Sequence, residues 1–184
     1  MCDRSWIQTF TGVQMFPLKP LPEQICIEDV AHALSQICRF TGQSCRFYSV
    51  GEHSVRVSTL LANTDGNTAA RYGLLHDASE AYMADVSAPL KAQAIFKGYR
   101  KAEAYLQGII YIKYGLNTLP PPCLQTADLR LLNTERKALL GKEPASWGKL
   151  PSPLRGCADD MGWPPRLAER LFLDAFKELF LGQQ

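Results

Sequence analysis

The chain has three histidines, His32, His53 and His76, and two of them stand among residues able to ligate a cation. His76 is followed at once by Asp77 inside the apolar stretch Tyr72-Gly73-Leu74-Leu75-His76-Asp77-Ala78-Ser79-Glu80-Ala81. Polar groups on a buried helix face are costly unless paired or coordinated. Adjacent residues on a helix point about 100° apart, so His76 and Asp77 can share an ion only if it lies close to the helix between them. Glu80 stacks on the His76 face one turn on, which suits a carboxylate at a reaction centre better than a ligand. His53 falls in the first turn of the preceding helix, and Asp128 in the first turn or so of a later one. His53, His76, Asp77 and Asp128 form a mixed nitrogen and oxygen set. Such a set suits one divalent ion (Co, Mn, Zn, Fe, Ni or Mg) rather than a structural zinc, which usually takes thiolates. Four protein ligands on an ion that accepts six leave positions for a water and a phosphate oxygen. An aspartate in a first turn also reads as a helix-dipole partner, and His32, after Ala31 on an apolar helix, reads as a core histidine.

These residues need helices to carry them. Pro17, Pro20 and Pro22 make 1–26 an irregular N-terminal segment, packed onto the domain through Trp6, Phe10 and Phe16. Ile27, Val30, Ala31, Leu34 and Ile37 recur at helical spacing. Ser49-Val50-Gly51-Glu52 reads as a capping box, with Ser49 accepting and Glu52 reaching back. That helix ends in a turn at 63–67, and a third runs from about Thr68 to Met83. The two can pair antiparallel, bringing His53 towards His76. A fourth, long helix is expected from Ser87 to about Tyr114, with Pro89 in its first turn and Gly115 stopping it. A fifth is expected over about 124–140 and a last over 165–181. The proline- and glycine-rich stretch 141–163 reads as a surface excursion, not a domain boundary. No run of consecutive strands is visible, so the expected class is all-α, one domain over 1–184.

Composition narrows the classes. Hydrophobic residues make up 46% and charged residues 21% of 184 positions, which suits a globular domain with its own core. A net charge of +2 gives no reason to expect a nucleic-acid or membrane surface. No apolar run approaches the roughly 20 residues a membrane span needs. Met1-Cys2-Asp3-Arg4-Ser5-Trp6 has no apolar core of a signal peptide, so a cytoplasmic protein is expected. The six cysteines (Cys2, Cys26, Cys38, Cys45, Cys123, Cys157) show no Cys-x-x-Cys pair and read as reduced thiols, with a zinc-thiolate site as the alternative.

The order His53, His76-Asp77, Asp128 and the words around it, FYSVGEHSVRVS, LLHDASEAYMADVSAPLK and TADLRLLNTER, resemble the HD-domain metal-dependent phosphohydrolases, in their small nucleotidase branch. The likeness covers about 27–140, and SWIQTFTG near the start is similar to small bacterial and phage members. It implies a helical bundle holding one divalent metal on those four residues, with Asp77 and Glu80 at the reaction centre. It implies sugar and phosphate contacts from Asp85 and Lys91, and an arginine–aromatic pair at Arg39 and Phe40, where family members carry tryptophan for the phenylalanine. Arg46 is a further candidate phosphate contact, since guanidinium grips phosphate in two places. The implied activity is hydrolysis of a small 2′-deoxynucleotide, with triphosphate release from a dNTP such as dATP favoured and phosphate removal from a dNMP the alternative. Hydrolysis of a signalling nucleotide, or a non-catalytic interaction module, is a weaker expectation; loss of motif residues would mark such a module, and this chain keeps them all. A homo-oligomer is expected for the branch.

Overall fold

A computed structural model of the chain describes residues 5–156 and 159–182. Cys2, Cys157 and the first four residues, on which parts of the thiol and signal-peptide expectations fall, lie outside the described residues. Cys26, Cys38, Cys45 and Cys123 are free thiols. No helix among the described residues is long and apolar enough to cross a membrane.

The structure is a helical bundle with one small hairpin. Helix α1 spans Ile27–Gln36, α2 Val50–Thr64, α3 Asn67–Leu75, α4 Glu80–Met83 and α5 Ala88–Lys91; α6 spans Lys97–Lys113, α7 Pro122–Leu139 and α8 Pro165–Phe176, which runs on as a wider turn to Leu181. An apolar cluster joins all of them but α5, from Met15 through Leu34, Leu61, Leu75, Ile110 and Leu131 to Phe172 and Leu179. The all-α class is therefore observed.

Within the N-terminal segment, Ile7–Gln8 (β1) pairs antiparallel with Gln14–Met15 (β2). Two-residue strands are too short to show a period. The hairpin is pinned by Asp29 of α1, which accepts from the Thr11 N–H at 2.7 Å and the Thr11 hydroxyl at 2.9 Å. Phe10 stacks on the His32 ring at 3.8 Å, and His32 Nδ1 faces Glu169 at 3.3 Å, so His32 serves this contact and not the site.

Helix α2 begins as expected, with the Ser49 hydroxyl accepting from the Glu52 N–H at 3.0 Å. The Glu52 carboxylate does not reach back, however. It accepts from the N–H groups of Gly162 (3.1 Å) and Trp163 (2.7 Å) and pairs with Arg56 at 2.8 Å. A buried carboxylate takes the partners that neutralise and solvate it best; here the charge comes from Arg56 one turn on in α2 and the N–H groups from the far end of the 141–163 excursion.

The expected third helix is broken. Regular α-helix stops at Leu75, residues 76–79 form tight turns, and α4 restarts at Glu80. Ala78 N–H donates to Leu75 O and Glu80 N–H to Asp77 O, both at 3.0 Å, an i to i−3 spacing. Gln107 of α6 completes the break: its amide donates to Leu75 O at 2.7 Å and accepts from the Ser79 N–H at 3.0 Å. The expected fourth helix is also divided, into α5, a 3-10 turn at Ala94–Phe96, and α6. Gly115 ends α6 at φ 71°, as its position suggested.

Helices α2 and α3 pack closely because Gly73 has no side chain. A Cβ there would stand 2.9 Å from Leu61 Cδ1 and 3.0 Å from Ser58 Cα. Gly73→Ala should therefore destabilise the fold by about 1–3 kcal/mol, read as a lower urea midpoint; an unchanged midpoint would contradict this contact.

Candidate metal and substrate site

Three elements deliver the candidate ligands to one point. His53 sits in the first turn of α2, fully buried. His76 and Asp77 sit in the broken turns after α3. Asp128 sits in the second turn of α7, because that helix starts two residues earlier than expected, at Pro122. A dipole role at the helix start therefore does not explain it.

The donor atoms of His53, His76 and Asp128 lie within 4.8 Å of one another. His53 Nε2 is 3.3 Å from His76 Nε2 and 3.1 Å from Asp128 Oδ1. The other ring nitrogens are occupied: His53 Nδ1–H donates to Glu135 Oε1 at 2.6 Å, and His76 Nδ1–H donates to Gly73 O at 2.8 Å. Both Nε2 atoms are thereby left for the shared point. Two nitrogens each about 2.1 Å from one ion stand roughly 3 Å apart. The observed spacing and the nitrogen–oxygen donor set fit a divalent cation. Asp77 stands just outside this trio, with Oδ2 3.2 Å from His76 Nε2 and 3.8 Å from His53 Nε2.

The charges of the site follow from this crowding. Burial alone would lower the His76 pKa, but Asp77 and Asp128 hold it up at about 9. His53 is raised too, with burial and Arg39 opposed by Glu135 and Asp128. Burial would raise Asp77, and His76, His53 and Arg39 bring it well below the usual carboxylate range. Glu80 moves the other way: burial, then the charges of Asp77 and Asp85, push it up to about 9 against the pull of Lys91. Its Oε1 accepts from Lys91 Nζ at 3.1 Å, and its buried Oε2 has no hydrogen-bond partner among the described residues.

Beside the trio opens a cavity of about 550 Å³, within the range of small-molecule sites. Arg39, Asp77, Glu80, Asp85, Lys91 and Asp128 line its polar end. Apolar side chains from Phe40 to Trp147 make most of the remaining wall, with Thr41, Gln43 and Ser87 among them. Arg39 and Phe40 reach it from a loop whose base is clamped by Arg39 N–H to Tyr48 O (2.9 Å) and Val50 N–H to Ile37 O (3.0 Å). Phe40 and Thr41 hold φ of 54° and 53°, sparsely populated for residues with side chains. Lys91 is also held at 2.6 Å by Glu103, so it enters the cavity as part of a Glu80–Lys91–Glu103 chain. Arg46 is outside the lining; its stem lies beside Gly162.

Sequence reasoning missed three groups. Glu135, fully buried on α7, receives His53, Tyr48 and Arg39. Its signal was the seven-residue spacing from Asp128, which puts both on one helix face. Gln107 and Trp147 carried no comparable signal, since each reaches the site through a tertiary contact.

No family model matches the chain. It is 35% identical to the uncharacterized protein YfdR of Escherichia coli (strain K12) over 176 residues, covering 95% of this chain and 96% of that one. It is 33% identical to an uncharacterized protein of Rhodobacter capsulatus over 178 residues, covering 89% of this chain and 90% of that one.

The raised histidine and glutamate pKa values set a pH dependence. A folded-state pKa above the ordinary value means that the folded protein binds the extra proton. The resulting stability is present below the ordinary value, and it is lost as pH rises through the folded value. For His76 that window runs from about 6.5 to about 9, and for Glu80 from about 4.5 to about 9. In EDTA, the melting temperature should fall between pH 6.5 and pH 9, and His76→Gln should flatten that slope. A melting temperature that rises over this interval would rule the charge arrangement out.

Proposed function

Since the chain belongs to the family that includes Escherichia coli YfdR, a name that carries no activity, we propose its function from the site: it is a metal-dependent phosphohydrolase of the HD-domain type, acting on 2′-deoxynucleotides. The convergence of His53 Nε2, His76 Nε2 and an Asp128 oxygen beside a cavity carrying Glu80 and Lys91 is the observation that supports this reading. Asp77 is the fourth ligand of the proposal, requiring its carboxylate to close on the trio.

A divalent cation bound there supplies Lewis-acid polarisation of a phosphate oxygen and a lowered pKa for bound water. The chain's own groups do the rest. Arg39 and Lys91 offset charge on the non-bridging oxygens. Glu80 holds a proton at its buried carboxyl and gives it from Oε2 to the leaving oxygen; the carboxylate that results is then able to take a proton from water and return to its starting state. Lys91, steadied by Glu103, keeps Oε1 engaged, so that Oε2 remains the exchanging atom. The apolar walls from Phe40 to Trp147 take the nucleoside and exclude water.

Two outcomes share this chemistry. Triphosphate release from a dNTP rests on the likeness of SWIQTFTG to small phage members. Phosphate release from a dNMP makes the smaller demand on the cavity's charges: among the described residues its lining offers two cations, Arg39 and Lys91, both already paired with carboxylates, to stand beside the bound ion. A bacterial or phage-infected host cytoplasm and a homo-oligomeric state belong to the same proposal.

Protein stripped of metal, reloaded with Co²⁺ or Mn²⁺ and given dAMP and dATP side by side, with other dNMPs, dNTPs and ribonucleotides, should release phosphate or triphosphate. Silence across the panel would sink the enzyme reading. Asp77→Ala should lose both metal and turnover. Glu80→Gln should keep its metal and lose turnover by roughly 10²–10⁴-fold; metal loss there would contradict the role given to it.

A further inference from the structure

Glu135 is not among the residues that line the substrate cavity, yet it is engaged by three side chains from outside its own helix, His53, Tyr48 and Arg39. It is fully buried in the middle of α7. Its Oε1 accepts from His53 Nδ1–H at 2.6 Å and from the Tyr48 hydroxyl at 2.7 Å, and its Oε2 faces Arg39 Nε at 3.3 Å. Burying a carboxylate is expensive and is tolerated only where several donors compensate it. An apolar residue would fill this position of α7 at no such cost, since Leu131 and Leu139, one turn to either side, are both buried.

We propose that Glu135 is a positioning residue for the metal centre: it fixes His53 in the tautomer and ring orientation that present Nε2 to the ion, and it holds Arg39 in the lining of the substrate cavity. The inference rests on the metal-dependent reading above. The geometry allows one arrangement of His53. With Nδ1–H held by Glu135, the neutral ring has its lone pair on Nε2, 3.3 Å from His76 Nε2 and 3.1 Å from Asp128. Carboxylate partners of this kind orient a ligating imidazole and make it a better donor. The same carboxylate faces the Arg39 side chain, whose other end stands 3.6 Å from Asp77 Oδ2. One buried charge thus ties a ligand on α2 to an arginine that lines the cavity, although neither is near Glu135 in sequence.

The test uses the full chain, stripped of metal and titrated with Co²⁺ alone, with affinity and the visible d–d spectrum as readouts. Glu135→Gln keeps an acceptor but removes the charge. It should weaken Co²⁺ binding by about 10–100-fold and shift the spectrum. Tyr48→Phe removes a different donor from the same carboxylate and leaves His53 untouched; it should lower the melting temperature while keeping wild-type affinity and spectrum. If Glu135→Gln does not fold, Glu135→Asp carries the comparison, since its shorter arm cannot hold His53 and Arg39 as before, and weaker binding with a shifted spectrum is expected. Whichever of the two folds, wild-type affinity and spectrum in it would overturn the positioning role. Equal weakening in Tyr48→Phe would overturn it too, by showing a general effect of disturbing the core. A wild-type chain that takes up no Co²⁺ would overturn the metal reading itself, a result distinct from either.

Discussion

The approach of His53 Nε2 to His76 Nε2 at 3.3 Å constrains the structure around it. Two imidazoles cannot come this close inside a bundle unless a proton or a cation lies between them, or the rings are forced together by the helices that carry them. All the enabling features are visible. Gly73 lets α3 lie against Ser58 and Leu61 of α2. Gly73 O and Glu135 each occupy the Nδ1 of one ring and turn its Nε2 inward. Asp128 arrives from α7 at the same point. Gln107 holds open the helix break that lets His76 and Asp77 face the site together. Each arrangement costs something alone: a missing side chain, buried charges or an interrupted backbone ladder. They are compatible because the site they build gives both histidines partners on each ring nitrogen and gives the broken backbone its partners in Gln107.

Charge balance gives the second layer. Asp77, Glu80, Asp85, Asp128 and Glu135 crowd a small volume with Arg39, Lys91 and two histidines. Carboxylates near a cation stay ionised, and those near other carboxylates take up protons. Asp77 and Glu135 therefore fall in pKa, Glu135 to about 2, where burial is outweighed by Arg39 and His53. Glu80 rises, because burial and the charges of Asp77 and Asp85 outweigh the pull of Lys91. Two acidic side chains three residues apart thus take opposite protonation states, a separation of the kind acid–base chemistry requires. Without a cation, His76, held at about 9, answers the remaining negative charge by holding a proton, and a divalent ion would take that proton's place at Nε2.

Much of this was legible in the sequence, for local reasons. The apolar period over 27–37 and the serine cap at Ser49 are read from neighbours in the chain, and α1 and α2 begin where they indicate. His53 and His76 stood out because the chain has only three histidines; Asp128, one of 18 acidic residues, stood out through the words around it that resemble a family. What the sequence hid depends on distant partners. The apolar pattern runs unbroken through 72–83, so nothing local shows that Gln107 will take the backbone groups of Leu75 and Ser79 and allow the helix to break. Glu52 sits in a sound capping-box position, yet Gly162 and Trp163 outbid the α2 N-terminus for its carboxylate. Glu135 looked like one more polar residue in Asn133-Thr134-Glu135-Arg136; only the packing of α7 shows it facing inward.

The excursion after α7 shows how an irregular segment can be part of a site built on helices. Its near end is held by Arg136, which pairs with Glu143 at 2.6 Å and lies over the Trp147 ring at 5.4 Å. Asn133 and Thr134 of α7 bind the backbone at Pro151 and Leu154. Its far end meets Glu52 one residue before His53, where Met161 is buried and Trp163 stacks under Arg56 at 4.5 Å. The segment therefore spans from the helix carrying Asp128 and Glu135 to the helix carrying His53, with Trp147 on the cavity wall between. Proline and glycine disfavour a regular ladder there, and backbone groups at Pro151, Ser152, Leu154, Asp160, Gly162 and Trp163 are satisfied by side chains of α2 and α7. Those contacts make the wall of the cavity and the ligand-bearing helices one mechanical unit: a shift of α7 against α2 would displace Asp128 and Glu135 relative to His53, and would move Trp147 as well.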